Sequence, residues 1–200
     1  MVIIGITGSI GMGKTTVSNM FRILRIPVFD SDKKVKEILE KNEKIIKKIS
    51  KIWPEAVSSH QKQKKINKVV LSNKIFKNEA ERTKLERIIH PLIKKERTIF
   101  LENTKKFNIV GLDIPLLYET GMEKKCDYVL LVNTTKKIQK KRVLMRPNMT
   151  EVKFQLINNS QWSFEKKAKR KPFIINTSFG KVVTFIIVLF YLLVIRFKGK

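Results

Sequence analysis

The sequence predicts an α/β fold, a parallel sheet covered by helices on both faces. Two observations carry that expectation. Short β-branched runs alternate with stretches of helical spacing, and the first run passes through a glycine-rich turn directly into a helix.

Residues 2–6 read as a buried strand, short and rich in Val and Ile. The stretch 14–24 has helical spacing, with Val17, Met20, Phe21 and Leu24 on one face. Residues 27–30 form a second short strand candidate ending in Asp30. The spacing then predicts one long polar helix over 32–49, its apolar side made by Val35, Ile38, Leu39, Ile45, Ile46 and Ile49. Residues 50–65 lose clear periodicity, and helical spacing resumes from Ile66. The region 79–105 reads as helix interrupted where His90 precedes Pro91, because a residue before proline is pushed out of the helical region. Residues 108–113 and 127–132 are mostly apolar strands and belong in the sheet centre. A basic helix is expected over 135–145 and a last strand over 173–175. No internal repeat or low-complexity tract is visible.

At 200 residues the chain can bury one sizeable core, and its 42% hydrophobic and 30% charged residues are an ordinary globular balance. The net charge of +26 is not ordinary. A basic surface attracts polyanions, but these lysines are dispersed and few aromatics lie among them to stack on bases. A residue-usage bias is therefore favoured over a nucleic-acid partner. The single Cys126 cannot form an internal disulfide, and residues 1–5 lack the order of a signal peptide, so a cytoplasmic address is the default. Residues 182–195 are nearly unbroken apolar sequence, followed by Arg196, Lys198 and Lys200. That length favours a helix packed onto the domain over a membrane span, with peripheral membrane contact as the alternative.

Residues Gly8-Ser9-Ile10-Gly11-Met12-Gly13-Lys14-Thr15 satisfy the phosphate-loop pattern in full, with a strand before and a helix after. Glycines allow left-handed turns that bring backbone N–H groups to phosphate oxygens. Lys14 supplies charge to the β- and γ-phosphates and the Thr15 hydroxyl can ligate Mg²⁺, so ATP and Mg²⁺ are the expected ligands. The nucleotide-binding candidates are Gly11, Met12, Gly13, Lys14, Thr15 and Thr16. Carboxylates at strand ends come next, since ligands of open α/β sheets sit there. Asp32 suits the task of accepting a proton from an attacking hydroxyl and Asp113 that of the metal, while Asp30 reads as a local hydrogen-bond acceptor. Arg142 and Arg146, four apart, would project from one side of a helix ended by Pro147. A hinged basic segment there could close over the nucleotide and bring guanidinium groups to the transferring phosphoryl.

Taken together, several stretches resemble the dephospho-CoA kinase family. They are Gly5-Ile6-Thr7-Gly8 with its loop, Val28-Phe29-Asp30-Ser31-Asp32 and Ile75-Phe76-Lys77-Asn78. To these add Leu85-Glu86-Arg87-Ile88-Ile89-His90-Pro91-Leu92-Ile93, Asp113-Ile114-Pro115-Leu116-Leu117-Tyr118-Glu119 and Arg142-Val143-Leu144-Met145-Arg146. The resemblance covers roughly the first five-sixths of the chain, and the His-Pro and Pro-Leu-Leu-Tyr-Glu stretches are its specific part. It implies phosphorylation of the ribose 3′-hydroxyl of dephospho-coenzyme A by ATP, with Asp32 as base and Lys14, Arg142 and Arg146 as the cationic groups. It places the acceptor near Thr7, Asp32, His90, Leu116, Leu117 and Glu119, and the metal near Thr15 and Asp113.

The fold it implies is a three-layer αβα P-loop NTPase with a five-stranded parallel sheet in the order 2-3-1-4-5. A single, monomeric domain is expected, with a helical acceptor-binding insertion over about 33–106, a lid over about 140–165 and an apolar C-terminal helix over about 180–196. Four departures stand out: Ser9 at a position usually glycine, no glycine turn within 50–65, Lys171-Pro172 in place of Ala-Asp, and a far more apolar C-terminal helix. The nearest rival is another small P-loop kinase acting on a nucleoside or nucleotide; a nucleic-acid-binding P-loop protein is the rival of a different class.

Overall fold

The structure, a computed structural model, describes residues 1–60 and 63–198; Lys200 lies outside the described residues. The chain divides into two compact units, Met1–Asp30 with Leu101–Lys200, and Ser31–Phe100.

The first unit is built on strand β1 (Val2–Thr7), whose alternate β-branched residues bury both faces. Helix α1 (Lys14–Ile23) follows, then edge strand β2 (Val28–Asp30). In the second unit come α2 (Ser31–Lys41), α3 (Glu43–Ile52), the hairpin β3 (Val57–His60) and β4 (Gln63–Ile66), α4 (Lys68–Lys77) and α5 (Glu79–Asn103), which runs back into the first. The first unit resumes with β5 (Ile109–Asp113), β6 (Tyr128–Asn133), α6 (Lys136–Leu144), α7 (Glu151–Asn159), α8 (Phe164–Ala168), β7 (Phe173–Asn176) and α9 (Gly180–Lys198).

The main sheet runs β2-β5-β1-β6-β7 and every pairing in it is parallel. Counted among its own five strands, that is the expected order 2-3-1-4-5. The register pairs Ile6 with Asp113 and Asp30 with Asp113, so the carboxyl ends of β1, β2 and β5 lie level. On one face of the sheet, Ile4, Ile6, Leu130, Val132 and Ile175 pack with Val17 and Phe21 of α1 and with Val188 and Ile195 of α9. The apolar helix thus contributes to the core, as its length suggested.

Three local expectations need correction. The single helix over 32–49 is two, because Asn42 takes an extended conformation and its side chain accepts from the Ile45 N–H at 3.2 Å as an N-cap. Proline does not interrupt α5: the helix continues through Pro91, which forfeits only one backbone donor. Ile66 closes a strand, and the helix begins after Asn67, whose side chain accepts from Val69 and Val70 at 3.1 and 3.2 Å. The stretch without periodicity holds a short 3-10 turn and the β3–β4 hairpin, which share no long apolar pattern.

Unit 31–100 has its own buried residues, among them Ile45, Ile46, Ile49, Leu71, Leu85, Ile89 and Trp53, the last 1% exposed. The Trp53 indole N–H donates to the Glu81 carboxylate. Lys84, and after it this indole, holds the Glu81 carboxyl below its usual range. Truncating Trp53→Ala removes the largest buried side chain of this unit and is expected to cost about 3–5 kcal/mol. Urea unfolding followed by circular dichroism measures it; a loss under about 1 kcal/mol would mean that Trp53 is not central to that core.

Candidate phosphate-binding site

The loop between β1 and α1 is shaped by left-handed backbone at Gly11 (φ 79°) and Gly13 (φ 98°). A Cβ at Gly13 would lie 2.9 Å from Thr177 Oγ1, and one at Gly11 would lie 2.4 Å from Val143 Cγ2. Both positions therefore demand glycine for conformation and for space. Ser9 is not among the residues of positive φ, so the serine found in place of a glycine costs the loop nothing in backbone strain.

Side chains from later in the chain hold this loop. Thr177 Oγ1 donates to the Met12 carbonyl at 2.8 Å and accepts from Arg142 Nη1 at 2.8 Å, while Arg142 Nη2 donates to the Thr177 carbonyl at 3.0 Å. Gln139 Nε2 donates to the Ile10 carbonyl at 2.8 Å and Gln161 Oε1 accepts from the Ile10 N–H at 2.9 Å. Gln139, Gln161 and Thr177 escaped sequence reasoning. Each is a neutral residue far along the chain, and no motif marks it.

Several backbone donors of the loop are left available. Among the described residues, the N–H groups of Gly11, Gly13, Lys14 and Thr15 have no protein acceptor. Helix α1 begins there with no side-chain cap and no acidic residue in its first turn. Unpaired N–H groups at a positive dipole end fit an anion. The Thr15 side chain is exposed, and Thr16 follows in the first turn with its N–H bonded to the Gly13 carbonyl at 2.9 Å. A triphosphate with its Mg²⁺ suits this donor set, with the Thr15 hydroxyl open to the metal.

Lys14 is paired with Asp113, which is 1% exposed and accepts from Ser18 Oγ at 2.5 Å through its other oxygen. Asp113 thus positions the lysine as well as standing at the strand end expected of a metal ligand. Thr7, fully buried, donates to the Pro115 carbonyl at 3.0 Å and anchors the turn that leaves β5.

Two of the predicted acceptor residues are engaged within the fold. Leu117 is fully buried over Gly5 and offers no surface to a substrate, whereas the neighbouring Leu116 is partly exposed. Glu119 is engaged internally: its Oε1 accepts from the Trp162 N–H at 2.7 Å and lies 3.0 Å from the ammonium of Lys167, itself 0% exposed. Tyr118 stacks parallel to Trp162 with centroids 6.4 Å apart, and burial pushes its hydroxyl up to about 12, so it stays neutral. Arg142 and Arg146 do not share a helical face. Helix α6 ends at Leu144, and Arg146 lies exposed in the turn before Pro147, where Asn148 adopts φ 57°. Asp32 and His90 belong to unit 31–100, Asp32 in the first turn of α2 and His90 exposed on α5.

The Glu119–Lys167 pair makes a sharp distinction testable. Glu119→Gln keeps an acceptor for Trp162 but leaves a buried ammonium unbalanced, which is expected to cost about 3–5 kcal/mol of stability. Thermal unfolding and acceptor KM read the two roles apart: an unchanged melting temperature with a raised KM would return Glu119 to the acceptor site.

Comparison with known proteins adds the family. A family model described as dephospho-CoA kinase matches residues 2–181. A dephospho-CoA kinase of Bartonella quintana is 42% identical over 180 residues, covering 88% of this chain and 89% of its own. One from Zymomonas mobilis is 37% identical over 175 residues, covering 88% and 87%. Among solved structures, a Thermus thermophilus protein superposes with a TM-score of 0.80 at 27% identity over 96% of both chains. A Campylobacter jejuni dephospho-CoA kinase, at 24% identity over 99% of this chain and 98% of its own, shares the fold with a TM-score of 0.70. Match and site agree along nearly the whole length, and the chain belongs to the dephospho-CoA kinase family.

Proposed function

We propose that this chain transfers the γ-phosphoryl group of ATP to the ribose 3′-hydroxyl of dephospho-coenzyme A, giving coenzyme A and ADP. The observation that carries the reading is the family match over residues 2–181, which includes a phosphate loop with four N–H groups that lack protein acceptors among the described residues.

In this reading the loop from Gly11 to Thr16 binds the triphosphate through backbone donors. Lys14 leaves Asp113 for the β- and γ-phosphates, exchanging one anion for another without ever being unpaired. Thr15 and Asp113 would hold Mg²⁺, which supplies neutralisation of the charge developing on the phosphate oxygens. Asp32 accepts the proton of the attacking 3′-hydroxyl; its support is the family pattern and its place two residues past the end of β2. Arg142 and Arg146 bring positive charge to the transferring phosphoryl, on a lid over about residues 140–165. By the family pattern, Thr7, His90 and Leu116 belong to the acceptor side, and the helical insertion over about 33–106 binds that acceptor. The enzyme works in the cytoplasm as a monomer.

Coupled ADP release with dephospho-coenzyme A beside adenosine, AMP and uridine tests the acceptor. Turnover is expected with dephospho-coenzyme A; turnover confined to a nucleoside or nucleotide overturns the assignment. Lys14→Ala and Asp32→Asn are each expected to lower kcat by about 10²–10⁴ with the fold intact by circular dichroism. Near-normal kcat in Asp32→Asn would remove that residue from the proton transfer.

A further inference from the structure

Helix α9 carries two apolar faces. One, made of Val188, Leu192 and Ile195, is buried on the sheet and α1. The other, made of Val182, Ile186, Phe190, Leu193 and Phe197, recurs every three or four residues and is open to solvent, with Val182 75% and Phe190 60% exposed. Phe179, 68% exposed, precedes it. Residues 182 to 197 span about 22 Å of helix, and no charge interrupts the stripe between Lys181 and Arg196, both exposed at its ends. A continuous exposed stripe of this kind marks an interaction surface rather than ordinary scatter of surface hydrophobics.

The family match stops at residue 181, so this surface lies outside the part of the chain that the proposed reaction accounts for. Two facts decide what covers it. The opposite face is fixed in the core by Val188 and Ile195, each 0% exposed, so α9 lies along a surface and cannot cross a bilayer without dismantling the unit. The chain carries a net charge of +26, which opposes pairing of two copies and favours an anionic surface. We infer that the exposed stripe of α9 seats the protein on an anionic lipid surface, its aromatic and aliphatic side chains in the headgroup–acyl boundary and the basic chain drawn down by lipid charge. Such an attachment is peripheral and weakens with salt.

Flotation of the purified full chain with phosphatidylcholine vesicles, and with vesicles that also contain phosphatidylglycerol, measures it. Binding to the anionic vesicles is expected at low salt, with little to neutral ones. The Ile186→Ser/Phe190→Ser variant changes only exposed positions and is expected to lose binding by about tenfold or more while retaining phosphotransfer and its melting temperature. Should that variant melt early, Phe197→Ser alone carries the same comparison. Lack of binding to anionic vesicles overturns the proposal. So does undiminished binding by the variants, which would reduce the effect to charge alone, and so does a wild-type dimer in light scattering that the variants abolish.

Discussion

Among the described residues, the phosphate loop keeps four N–H groups without a protein acceptor while two of its carbonyls are held by side chains from far along the chain. Gln139 takes the Ile10 carbonyl and Thr177 takes that of Met12. A loop with two glycines in left-handed conformations has many other arrangements available, and these side-chain contacts select one of them. The constraint therefore comes from α6 and from the residue that follows β7, parts of the chain more than a hundred positions away. Sheet topology brings them there, since β6 pairs with β1 and β7 pairs with β6. Arg142 adds a second layer by gripping Thr177 through both its hydroxyl and its carbonyl.

Lys14 shows the same economy in charge. An ammonium beside a row of unpaired N–H groups would repel its own surroundings if nothing balanced it. Buried Asp113, braced by Ser18, provides that balance, and level strand ends put it within reach. The pair holds the ammonium of Lys14 against a buried carboxylate beside the loop, and the proposed move of Lys14 to a triphosphate would exchange that partner for another anion.

The sheet was legible in the sequence because buried parallel strands are short β-branched runs, and all five fell where the residues indicated. The phosphate loop was legible because glycine, lysine and threonine at fixed spacing have a local mechanism. What escaped was nonlocal or ambiguous in period. Asn42 split a helix whose apolar spacing continued across it, and no glycine in the sequence over 50–65 signals the antiparallel pairing of 57–60 with 63–66. Glu119 and Leu117 sit in a family-specific stretch, yet one balances a buried lysine and the other fills the core beneath the sheet end. Residue type and position were visible there; the direction in which each side chain faces was not.

Titration with ATP–Mg²⁺, followed through backbone amide resonances, tests most directly whether the clamped loop is the phosphate cradle. The amides of Gly11, Gly13, Lys14 and Thr15 should move furthest and saturate together, and a Thr177→Val chain should need several-fold more nucleotide for the same change. Nucleotide binding that leaves those four amides unmoved would contradict the account.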